Sequence, residues 1–129
     1  MLSQEEADQR LMAAQKNKSL DVNCVGFVLF MLGVLKKETL VVPTAHRIKR
    51  YLEKVTSLSE ASVFGIWSLE SKYYHHFAFI HRTPSDIMVY ERGKTKAPVQ
   101  PTTIDDIIRE YKYLYSADLI ESHYLRLRS

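Results

Sequence analysis

The chain has 129 residues, 46% of them hydrophobic and 26% charged, with 18 Lys and Arg against 15 Asp and Glu. That length and mixture suit one domain, 1–129, with a sizeable core, and they exclude a low-complexity or solenoid protein. A single cysteine, Cys24, excludes an intramolecular disulfide framework, and basic residues interspersed with acids read as a solvated surface before a nucleic-acid one.

Ser3 is placed to cap a first helix, QEEADQRLMAAQKN, acidic at its start and basic at its end as the helix dipole prefers. This opening stretch is too polar and too acidic for a signal peptide. SLDVN breaks the helix, and Asn23 then caps the apolar run CVGFVLFMLGVL. The run from Cys24 to Leu35 predicts a central helix, apolar on all sides and closed by Lys36 and Lys37. It is shorter than the roughly 20 residues a membrane span needs, so no membrane span and a cytoplasmic location are expected. Gly26 and Gly33 face nearly the same way on such a helix and would let a neighbour approach closely.

VVPTAHRIKRYLEKV predicts a third helix starting at Pro43 or Thr44, with Ile48, Tyr51, Leu52 and Val55 on one face. The texture then changes to strands. SVFGIWSLE, HFAFIH and IMVYER are short β-branched and aromatic runs, and RTPSD joins the last two as an antiparallel hairpin. GKTKAPVQPTT reads as a loop. Thr103 caps IDDIIREY, with Asp106 three residues on as a weaker capping box, and HYLRLR alternates like a final strand. Helices first and strands afterwards is an α+β order, with N-terminal helices packed on an antiparallel sheet.

A lone cysteine is by default a small buried residue. At the first turn of a helix, however, the unpaired N–H groups and the dipole favour thiolate and can hold an oxyanion beside the sulfur. His75 and His76 are by default polar residues at a strand's entry. Strand alternation puts His76 with Ala78 and Ile80, and His75 with Phe77, Phe79 and His81 on the other face. The small Ala78 gives a helix end room near His76. No glycine-rich phosphate loop and no Gly-x-Ser-x-Gly elbow occurs, and His75, His76, His81 and Cys24 show no metal-ligand spacing. Tyr111, Tyr113 and Tyr115 read as packing residues, since no RNA-binding signature accompanies them.

A thiol at a helix start, followed some fifty residues later by a histidine opening a strand, resembles papain-like cysteine hydrolases. NCVGFV is similar to the Asp-Cys-Ser-Gly-Phe/Leu-Val of the NlpC-type peptidases, and HFAFI to their His-Val-Gly-Ile-Tyr; SVFGIWSLES stands where they carry the intervening strand. The resemblance covers about residues 21–92. It implies a papain-like fold and a cysteine peptidase or amidase working through an acyl-enzyme. Its substrate would be a peptide or amide, peptidoglycan-derived by family default, with no cofactor and no metal. Cys24 is the implied nucleophile and His76 the implied base. Asn23 replaces the family's Asp, and Val25 its small residue. The family's third polar position falls on Met88, so Tyr90 and Glu91 become the candidates, strand register admitting either; Glu91 is the better orienter of an imidazole. The competing expectation is the same fold without catalysis, holding a peptide or protein partner.

Overall fold

The computed structural model describes residues 2–19, 21–93 and 98–129. The first helix, α1 (Gln4–Lys16), starts at a complete capping box, in which the Ser3 side chain accepts from the Glu6 N–H while the Glu6 side chain accepts from the Ser3 N–H. Helix α2 (Cys24–Met31) begins at Asn23 as expected but ends before the apolar run does. Gly33, at φ 85°, makes the turn there, so Lys36 and Lys37 lie in the following segment rather than at the helix end.

Helix α3 (Ala45–Tyr51) is capped by Thr44 and stops short of the predicted Val55. Leu52–Val55 is instead strand β1, with Leu52 opposite Leu127 and Val55 opposite Tyr124. Four apolar-and-charged residues fit either period, and the ladder offered by the last strand decides between them. Strands β2 (Val63–Ser68), β3 (Tyr74–Arg82) and β4 (Ile87–Arg92) follow where they were expected.

The predicted loop after β4 contains a further strand, β5 (Val99–Thr102). It lies at the sheet edge, where Pro101 is tolerated because its missing N–H leaves no ladder bond unmade. Residues 94–97 of that loop fall outside the described residues. Helix α4 (Ile104–Tyr115) runs past IDDIIREY, and β6 (Ile120–Leu127) begins ahead of HYLRLR. The six strands form one antiparallel sheet in the order β1-β6-β2-β3-β4-β5. The chain is therefore α+β.

Each face of the sheet carries its own core. On one, α1 and α2 bury Phe27, Leu29 and Met31 against Phe77, Phe79 and Leu125. On the other, Ile107 and Tyr111 of α4 close over Phe64, Ile66, Ala78 and Ile80. Side chains of this kind contribute about 1.5–3 kcal/mol each when fully buried, so the two layers fix α2 and α4 firmly on opposite sides of β3. Gly26 provides the close approach expected of it. A Cβ there would stand 1.7 Å from the Thr39 carbonyl oxygen, so the segment after α2 crosses directly against the helix backbone. No helix among the described residues is long and apolar enough to cross a membrane.

Candidate active site

Asn23 sets the position of the thiol. Its Oδ1 accepts from the N–H of Gly26 at 2.8 Å and from that of Val41 at 3.2 Å, and its Nδ2 donates to the Val41 carbonyl at 2.8 Å. One side chain thus caps α2 and ties the helix start to the strap that crosses Gly26. An aspartate would lack the donor for Val41, which gives the asparagine here a physical reason. Val25 is buried in the core below, and Cys24 is half-buried at its edge.

Next to His76, strand β3 carries an irregularity. Ile66 pairs with His76 and Trp67 with Tyr74, so His75 is an extra residue with no partner on β2, a β-bulge. The bulge overturns the expected alternation. His75 does not join Phe77 on the α2 face but stacks on Tyr115 of α4, ring centroids 3.8 Å apart and planes 13° apart. Its neighbour His76 stacks on Tyr111 of the same helix at 5.3 Å and 17°. Tyr74 turns the other way and packs on Phe77 at 4.7 Å.

The register of β3 with β4 settles the third position. Tyr90 stands opposite Phe79, which leaves Glu91 on the face of Ala78 and His76. His76 Nε2 donates to Glu91 Oε2 at 2.6 Å, the imidazole buried and the carboxylate partly so. The Cys24 side chain is close enough to the same ring to act on its titration. With Nε2 taken by Glu91, the nitrogen left for the thiol is Nδ1. Burial pushes the imidazole towards neutrality. The Cys24 and Glu91 side chains act the other way, outweigh burial and raise its pKa to about 9.

The structure therefore brings Cys24, His76 and Glu91 together and leaves Tyr90 on the other face. It adds a residue the sequence reading did not assign to the site. Tyr111 is buried, stacks on His76, and has its phenol pKa pushed well above the ordinary value, first by burial and then by the charges of Cys24, Glu110, Glu91 and Tyr115. The sequence signal for it was the spacing Tyr111–Tyr115, which places two rings one above the other on a helix, here 6.0 Å apart.

Two backbone donors complete the arrangement. Gly26 N–H is held by Asn23 Oδ1 and Phe27 N–H by the Asn23 carbonyl. The preceding N–H groups, those of Cys24 and Val25, belong to the first turn, whose donors have no partner within the helix. The site can thus supply a nucleophile, a proton carrier with its orienting carboxylate, and oxyanion donors. Among the described residues, no group of three or more His, Cys, Asp and Glu is placed to hold a metal ion. Comparison of the chain with protein-family models, with curated proteins and with solved structures finds no match.

Proposed function

We propose that the protein is a cysteine hydrolase of papain-like, NlpC-type build that cleaves a peptide or amide bond. The observation that carries this reading is the single imidazole, His76, hydrogen-bonded to the Glu91 carboxylate with the Cys24 side chain acting on the same ring. A structural cysteine gains nothing from that pairing.

In the reaction, His76 holds the proton of Cys24 and Glu91 keeps the imidazolium in place. Cys24 Sγ attacks the carbonyl carbon and forms a C–S bond, while the carbonyl oxygen takes the negative charge and is held by the N–H groups of Cys24 and Val25. The oxyanion collapses, the C–N bond breaks, and His76 gives its proton to the departing nitrogen. Water, deprotonated by His76, then attacks the thioester; the C–S bond breaks and the acid leaves, returning the proton to the pair. The substrate class is an amide-type carbonyl, and a cell-wall stem peptide is the form the family resemblance implies.

The test is the rate of Cys24 alkylation by iodoacetamide from about pH 5 to pH 9, repeated with His76→Ala. An isolated thiol becomes half thiolate only near about pH 8.5. Alkylation that stays fast at pH 6, and drops about tenfold or more with His76→Ala, supports the pair and justifies screening amide substrates. Slow alkylation that the substitution leaves unchanged overturns it, and the fold is then a binding module.

A further inference from the structure

A second constellation lies on the α3 side of the sheet, away from the α4 face that holds His76. Tyr74, turned outward by the bulge, donates from its hydroxyl to His123 Nδ1 at 2.8 Å, and His123 Nε2 lies 2.6 Å from Glu121 Oε1. Trp67 stacks on the His123 ring at 5.6 Å and 22°, and meets Tyr74 edge-on at 4.7 Å. These rings form one wall of a groove of about 420 Å³ whose floor is Ile48, Leu52 and Leu125. The volume is that of a small-molecule site.

The walls are fixed while the charges at the rim are not used up. Burial, with the Glu121 charge, raises Tyr74 to about 12, so its hydroxyl remains a donor to His123 at any physiological pH. Both acids lining the groove are hydrogen-bonded, Glu121 by His123 and Glu53 by Arg126 at 3.0 Å, and the Lys and Arg side chains that line it outnumber them. Arg128 donates to the Lys49 carbonyl at 2.9 Å. Lys49, Lys54 and Lys72 also line the groove and are exposed, and among the described residues none of them forms an ion pair. Lys54 and Lys72 line the groove together with Trp67, Tyr74 and Glu121.

An aromatic wall over an apolar floor, lined by more cations than acids, is complementary to a molecule that is flat or apolar along its body and negative at its tip. We propose that this groove binds a small amphiphilic anion, a carboxylate or phosphate on an aryl or acyl body. The body lies along Trp67 and Tyr74, and the anion sits between Lys54 and Lys72. The site is distinct from Cys24 and does not depend on hydrolysis there.

Trp67 is the only tryptophan of the chain, so its emission reports the groove directly. The experiment titrates the intact protein with 4-phenylbutyrate, 4-phenylbutyl phosphate and the neutral 4-phenylbutanamide, and repeats the titrations with Lys54→Gln/Lys72→Gln. Both lysines are exposed, and circular dichroism confirms that the variant folds. The expected result is a saturable change in emission with at least one anion, about tenfold or more tighter than the amide. The double substitution should weaken the anion about tenfold and leave the amide unchanged. Preference for one anion over the other identifies the natural head group. Equal binding of amide and anion, an anion affinity indifferent to the two lysines, or no saturable change with any probe overturns the proposal.

Discussion

Glu91 and Arg92 are consecutive in β4 and hold opposite faces of the sheet. Glu91 accepts from His76 at 2.6 Å, while Arg92 donates to the buried Glu38 carboxylate and, at 2.7 Å, to the Ala14 carbonyl. Strand alternation separates them, and each carboxylate keeps its own cation. Glu91 is therefore not a surface acid neutralised by its neighbour, and its charge is available to the imidazole.

Glu91→Gln preserves shape and removes that charge. The expected outcome is a stable protein in which alkylation of Cys24 at pH 7 falls about tenfold, since a general-base imidazole depends on the group that orients it. Iodoacetamide kinetics on the two proteins checks this, and equal rates would remove Glu91 from the site.

Titration of His76 gives the second prediction. Below about pH 6.5, the ordinary histidine value, folded and unfolded chains both carry the proton and the full stabilisation is present. Between there and about 9 the folded chain holds a proton the unfolded chain has lost, so stability falls as pH rises and the contribution is gone above the folded pKa. Ring NMR shifts should place the titration near 9 in the native protein and lower in both Cys24→Ala and Glu91→Gln. Urea midpoints should show a shallower decline over the same window in either variant.

Tyr111 is predicted to position His76 through its ring rather than its hydroxyl. Tyr111→Phe keeps the stack and should leave alkylation within about twofold of the parent. Tyr111→Ala removes a buried aromatic ring, costs about 3–5 kcal/mol of stability and slows alkylation. Denaturant midpoints and alkylation rates measured together separate the two effects. A rate lost in Tyr111→Phe would instead assign a task to the phenol.

The Arg92–Glu38 pair is buried on both sides, with Asn17 Nδ2 donating to Glu38 at 3.0 Å. Removing one partner leaves an uncompensated charge, so Glu38→Gln or Arg92→Met should cost about 3–5 kcal/mol. Replacing both, as Arg92→Met/Glu38→Leu, should recover a large part of that loss. Urea unfolding of the three variants is the measurement; additive losses in the double variant would contradict it.

Gly26→Ala should fail to assemble the site. Its Cβ has no room beside the Thr39 carbonyl, and either α2 or the crossing strap must move, pulling on Asn23 and on the thiol next to it. Native-like thermal stability together with native alkylation rates in this variant would show that the strap yields freely.

Much of this was legible in the sequence because it rests on local signals. Ser3, Asn23, Thr44 and Thr103 each cap the helix that follows, since a short polar side chain before an apolar run has few other uses. RTPSD joins β3 to β4 in the hairpin its turn residues imply. What escaped was set by distant partners. Leu52–Val55 became a strand because β6 lies alongside it, and Val99–Thr102 because β4 left an edge open. The bulge at His75 was invisible for the same reason, being a mismatch between two strands rather than a property of either. With it went the common orientation of His75 and His76 and the place of Tyr111. Choosing Glu91 over Tyr90 likewise needed the pairing of Tyr90 with Phe79.

The position of β6 has a temporal consequence. A ribosome delivers Cys24, His76 and Glu91 well before Ile120, yet β1 and β2 do not touch one another and are joined only when β6 enters between them. A nascent chain halted ahead of that strand carries all three residues of the candidate site on a sheet still in two parts. The layer that backs α2 closes only when Leu125 arrives, so the wall behind that helix is completed by the same strand that joins the two parts of the sheet.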